Sequence, residues 1–179
     1  MKAGQAFVAG VIAGLAMLLA MVIGWLSGTL RLDSPMLLGS FITGDLSVAT
    51  WVLGAIIHFL ICGLVALIYA AIFEAARRSA WWLGMVIAGV NWAISGSLLP
   101  LLPLIHPLVP QFIIGPGAFA FNYGAANMLW FLGLHLLYGA VVGVIYICAH
   151  TREPAPVERE PMHGEHGEPV ASGELGHGG

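Results

Sequence analysis

Four apolar runs, each long enough to cross a bilayer, constrain this chain more than any other feature of it. They extend roughly over Ala6 to Leu30, Val48 to Phe73, Ala80 to Ile105 and Asn127 to His150, and about 20 helical residues span a hydrocarbon core of about 30 Å. Helices are the predicted form because every backbone amide in lipid needs a partner inside the protein. Charge points the same way: only 8% of the residues are charged, against about 25% in a soluble domain, too few to coat a globule. The predicted fold is all-α, a polytopic membrane four-helix bundle over residues 1–150, with a polar tail over 151–179.

The first run starts just after Met1 and Lys2. It is longer than the roughly 7 to 15 apolar residues of a signal peptide, so it is read as a span. Basic residues near span ends tend to stay on the cytoplasmic side. Lys2, Arg77, Arg78, Arg152 and Arg159 fall on one side and only Arg31 on the other, beside Asp33. This pattern predicts a bacterial inner-membrane protein with both termini in the cytoplasm. Cys62 and Cys148 lie within apolar runs and read as small core residues rather than a disulfide pair.

The runs resemble one another in pairs. Val11-Ile12-Ala13-Gly14 recurs as Val86-Ile87-Ala88-Gly89, and His58, Leu60, Val65, Ile68 and Tyr69 match His135, Leu137, Val142, Ile145 and Tyr146 at a constant offset. The unit is a helical hairpin repeated in tandem, about 4–78 and 79–150, which predicts a pseudo-two-fold axis along the membrane normal. Small residues spaced by four (Gly10 and Gly14, Gly24 and Gly28, Gly84 and Ala88, Gly139 and Gly143) predict close helix crossings, inside the chain or between copies in a homo-oligomer. The connections Arg31 to Leu46 and His106 to Ala126 carry Pro35, Gly39, Pro107, Pro110, Pro116 and Phe121. They are predicted to lie on the outer membrane surface with a short interfacial helix, Asn122, Tyr123 and Asn127 standing where the second one meets the last span.

Intramembrane polar groups are costly and mark candidate sites. His58 and His135 lead, each about two turns into a span that runs from outside to inside. Helical spacing puts His58, Cys62, Val65 and Tyr69 on one stripe and His135, Gly139, Val142 and Tyr146 on the other, with a small residue one turn after each histidine leaving room for a flat group or a backbone. Three readings stand. The histidines only pack, bonded to a carbonyl, Asn91, Ser95 or Ser97; they are the axial ligands of a b-type haem in an electron-transfer protein; or they line a path for a small solute or ion. The spans lack central carboxylates, which weakens transport, and no catalytic constellation or nucleic-acid motif is visible. Tyr69 and Tyr146 are read as an aromatic belt at the inner interface. The tail, rich in Glu, Pro, Gly and His, is predicted to be disordered, with His163 and His166 as its only candidate metal ligands.

These motifs, His58, Tyr69, His135 and Tyr146 with Gly14 and Gly89, resemble a family of small bacterial four-span integral membrane proteins known as a domain of unknown function, over about Gly4 to Ala149. The resemblance implies the fold and carries no activity with it. The function expected is therefore an accessory or structural subunit of a membrane complex, with lipid and other subunits as partners.

Overall fold

The computed structural model describes residues 3–77 and 80–150. The tail, with His163 and His166, lies outside the described residues, as do Lys2, Arg78, Arg152 and Arg159. Among the described residues six α-helices make up the bundle: α1 (Ala3–Leu26), α2 (Ser34–Thr43), α3 (Val48–Ala76), α4 (Trp81–Leu98), the single-turn α5 (Leu102–Ile105) and α6 (Ala125–His150). Four candidate spans are long and apolar enough to cross a membrane: α1, α3, α4 extended through α5, and α6. The chain is a multi-pass membrane protein of two helical hairpins, α1 with α3 and α4 with α6.

Two spans end differently from their apolar runs. Helix α1 stops at Leu26 because Gly28 turns to positive φ (70°), and the amides of Thr29 and Leu30 fold back onto the Gly24 carbonyl at 3.1 and 3.0 Å, a glycine-dependent helix stop. Gly28 therefore lies outside any helix ridge. Helix α4 gives way to a 3₁₀ turn at Leu99–Leu101, where Pro100 and Pro103 lack the N–H that would bond back to the preceding turn.

The hairpins cross on glycine. A Cβ on Gly10 of α1 would strike the Cys62 carbonyl of α3, and one on Gly84 of α4 would strike the Gly139 carbonyl of α6. The small residue one turn after each histidine thus admits a neighbouring backbone. Gly10, Gly14, Gly84, Ala88, Gly139 and Gly143 are packed within the chain, so those ridges serve its own hairpins.

Between the hairpins the packing departs from the predicted two-fold axis. That axis would equate the α1–α6 contact with an α4–α3 contact, yet α1 packs along α6 while α3 and α4 make almost no close backbone approach. The spans follow one another as α3, α1, α6, α4, and the ends of this row meet through side chains, with Tyr69 of α3 beside Asn91 of α4.

The outer connections, predicted to lie on the outer membrane surface, fold over the bundle. Helix α2 is capped by Asp33, whose Oδ1 accepts the Met36 N–H at 2.9 Å. It presses on α3 so closely that a Cβ on Gly54 would strike the Pro35 carbonyl. In the second connection His106 is buried, its Nε2 3.0 Å from the Leu37 carbonyl and its Nδ1 accepting the Leu108 N–H at 3.1 Å. Two apolar clusters result. The inner one holds Ala66, Tyr69, Phe73, Tyr138, Val142 and Tyr146, and the outer one Met21, Leu30, Leu32, Ala120 and Leu134.

Candidate functional site

His58 is ten residues past Val48, the first residue of α3, and His135 ten past Ala125, the first of α6. At 1.5 Å per residue each imidazole lies about 15 Å down its helix, nearly three turns rather than two. Both line one cavity of about 270 Å³ between the inner and outer clusters. Met17 and Met21 of α1, Leu37 beneath the outer cap, Cys62, Asn91, Ser95 and Tyr138 share its wall. Among the described residues no Lys, Arg, Asp or Glu does.

The predicted stripes face inward. His58, Cys62 and Tyr69 are buried on α3, as are Gly139, Val142 and Tyr146 on α6, while Leu60 and Ile68 face outward. Tyr69 and Tyr146 are only 1% and 3% exposed, so the aromatic-belt reading is overturned. Tyr146 packs its ring on Phe73 with centroids 4.9 Å apart, and Tyr69 meets Tyr138 edge to face at 5.4 Å. Cys62 is buried as predicted, but Cys148 is exposed.

His135 Nδ1 lies 2.7 Å from the carbonyl of Phe131. A neutral imidazole carries a single N–H, so that carbonyl takes it and His135 Nε2 is left as an acceptor. His58 stands beside Gly14 of α1, and its Nε2 faces Cys62 Sγ at 3.6 Å. His135 Nε2 faces Ser95 Oγ at 3.2 Å, but the one hydroxyl proton of Ser95 also has the Asn91 carbonyl within 2.7 Å. One proton serves two acceptors.

Other candidates resolve plainly. Asn91 lines the cavity. Asn122 does not; its Nδ2 donates to the Gly115 carbonyl at 2.9 Å within the outer connection. Ser97 is exposed and bonds only within α4. Among the described residues no group of three or more His, Cys, Asp or Glu is placed to hold a metal ion. The sequence reading passed over Tyr138, whose hydroxyl donates to the Cys62 carbonyl at 2.5 Å and ties α6 to α3. It has no repeat counterpart, since Ile61 occupies the matching position; its place three residues after His135 on the same helical face was the available signal. The buried His106 was passed over too, hidden in a proline-rich connection.

The donor set does not fit haem. Axial ligation needs two Nε2 atoms turned to one metal, whereas these are turned to Cys62 and Ser95 on their own sides of the cavity. The carboxylates of a haem would also find no cationic side chain on its wall among the described residues. The arrangement is suited to an uncharged guest that meets a mostly apolar wall and a few polar groups. Comparison of the chain with protein-family models, with curated proteins and with solved structures gives no match.

Proposed function

We propose that this protein is an accessory protein of a bacterial inner membrane, with both termini in the cytoplasm, that holds one small uncharged molecule between its hairpins. The observation that carries the reading is that His58 and His135, from different hairpins, line a single cavity with no charged side chain on its wall among the described residues. A guest arriving from lipid gains little from apolar contact, because acyl chains are as apolar as the cavity wall. Its retention rests on the hydrogen-bonding groups that lipid lacks: the two imidazoles, Ser95 and Asn91. The excess of basic residues on one side of the spans supports the orientation, and the resemblance to small bacterial four-span proteins supports the membrane.

The test is thermal unfolding in detergent with and without 4-propylphenol, beside the anionic 4-propylbenzoate. The reading expects the phenol to raise the unfolding temperature, as any ligand bound only by the folded state does, and the benzoate to leave it unchanged. Equal stabilisation by both, or by neither, would count against it.

A further inference from the structure

One stretch of the outer cap holds its backbone where side chains rarely go. In the turn Ala118–Tyr123, between α5 and α6, Phe119 and Ala120 stand at φ 54° and 61°, left-handed positions that glycine adopts far more readily than any residue with a Cβ. Gly117 and Gly124, at φ 67° and 101°, flank the turn. Strain of this kind persists only where the surroundings hold it.

Here the hold is made of side chains. The Phe119 ring fills the slot that Gly96 leaves in α4, where a Cβ would strike it, and its centroid lies 4.6 Å from that of the Trp92 ring. Ala120 is fully buried in the outer cluster with Met21, Leu32 and Leu134, three residues that line the cavity. The hydrogen bonds of the turn stay within its own connection: the Asn122 amide donates to the Pro116 carbonyl at 3.0 Å, Asn122 Nδ2 to the Gly115 carbonyl at 2.9 Å, and the Gly124 amide to the Phe121 carbonyl at 2.8 Å. Among the described residues a helix bonds to it only at its end, where Asn127 Nδ2 donates to the Tyr123 carbonyl.

Trp92 adds a second cost to the closed position. Its Nε1–H is buried without a hydrogen-bond partner, and a buried polar group left unpaired is unfavourable. Rotation about Gly117 and Gly124 relieves both costs, since Phe119 and Ala120 regain ordinary φ and the uncovered indole N–H meets polar partners. One ring and one methyl group therefore hold the turn shut. Phe112, Ile114 and Phe121 of the same connection are exposed apolar side chains, so this cap borders the membrane interface rather than bulk water.

We propose that Ala118–Tyr123 is a lid, hinged at Gly117 and Gly124 and latched by Phe119, through which the guest enters and leaves the cavity from the outer membrane interface. This rests on the cavity-binding reading above and names how its site is gated.

The test follows 4-propylphenol binding to the full-length protein in detergent by stopped-flow tryptophan fluorescence. Phe119→Ala removes the latch, and the association and dissociation rates are both expected to rise about threefold to tenfold, the range that an aromatic pair contributes, with little change in affinity. Unchanged rates would overturn the lid. The opposite arm is the Gly96→Cys/Phe119→Cys pair in a Cys148→Ser background, Cys148 being exposed. Oxidising that pair ties the turn to α4 and is expected to stop association on the stopped-flow timescale, and a reductant to restore it. Equally fast association in the oxidised and reduced forms would overturn the lid while leaving the cavity-binding reading in place. An equilibrium titration that finds no phenol bound by the unaltered protein would overturn both.

Discussion

Asn127, at the outer end of α6, holds the amide of Arg31 from the connection of the other hairpin. Its Oδ1 accepts the Arg31 N–H at 2.7 Å and the Leu32 N–H at 3.0 Å, while its Nδ2 donates to the Tyr123 carbonyl at 2.8 Å. The side chain is buried and fastens both outer connections to one helix end. Asn127→Ala leaves two amides without an acceptor, so a loss of about 3 kcal/mol is expected in thermal or denaturant unfolding. Loss of less than a third of that would mean water replaces the side chain.

The glycine crossing of the second hairpin gives a paired prediction. A Cβ on Gly139 would meet the Gly84 carbonyl, a backbone atom that cannot swing aside, whereas one on Gly133 meets nothing within 4 Å. Gly139→Ala is expected to destabilise by about 2 kcal/mol, and Gly133→Ala to be neutral or slightly stabilising as a helix-interior glycine replacement. Unfolding in detergent separates the two.

Asp33 is partly buried beside α2, and that desolvation raises its carboxyl above the ordinary value of 3.8 even though the Met36 N–H and the Trp51 side chain pull it down. The folded state therefore holds this proton more tightly than the unfolded chain does. The contribution is fully present below 3.8 and is lost as pH rises through the raised folded value. Asn is an equally good helix cap, so Asp33→Asn should remove this part of the pH dependence, which sets in as pH rises above 3.8, without loss of stability at neutral pH. Asp33→Ala should cost about 1 kcal/mol at any pH through loss of the cap.

Two tyrosines that touch edge to face should respond oppositely to loss of the hydroxyl. Tyr138 donates to the Cys62 carbonyl, and Tyr138→Phe is expected to cost about 1 kcal/mol. The Tyr69 hydroxyl is buried beside the Asn91 side chain without a hydrogen bond of ordinary geometry, so Tyr69→Phe should cost little in unfolding of the ligand-free protein. A destabilised Tyr69→Phe would show that this hydroxyl is satisfied in solution.

The spans were legible in the sequence because lipid permits one answer to a long apolar run, and the inward faces followed from helical spacing out of His58 and His135. The residues after them, Cys62 and Gly139, were legible as small but not as crossings, because a small side chain admits a ligand and a backbone equally. The cap was not legible. Pro35, Gly39 and Gly54 lock α2 onto α3 through backbone contacts that leave no apolar periodicity, and His106 and Asn127 act on partners 69 and 96 residues away. The order of the spans was hidden as well, since hairpin resemblance says nothing about which outer faces meet.

Val65 lines the cavity and packs against the inner core, so a larger side chain there fills the space without removing either histidine. Equilibrium titration of the Val65→Trp variant and of the unaltered protein with 4-propylphenol, checked by circular dichroism, tests most directly whether the cavity between the hairpins is the binding site. One molecule bound per chain in the unaltered protein and none in a normally helical Val65→Trp protein is the predicted result; undiminished binding by that variant would contradict it.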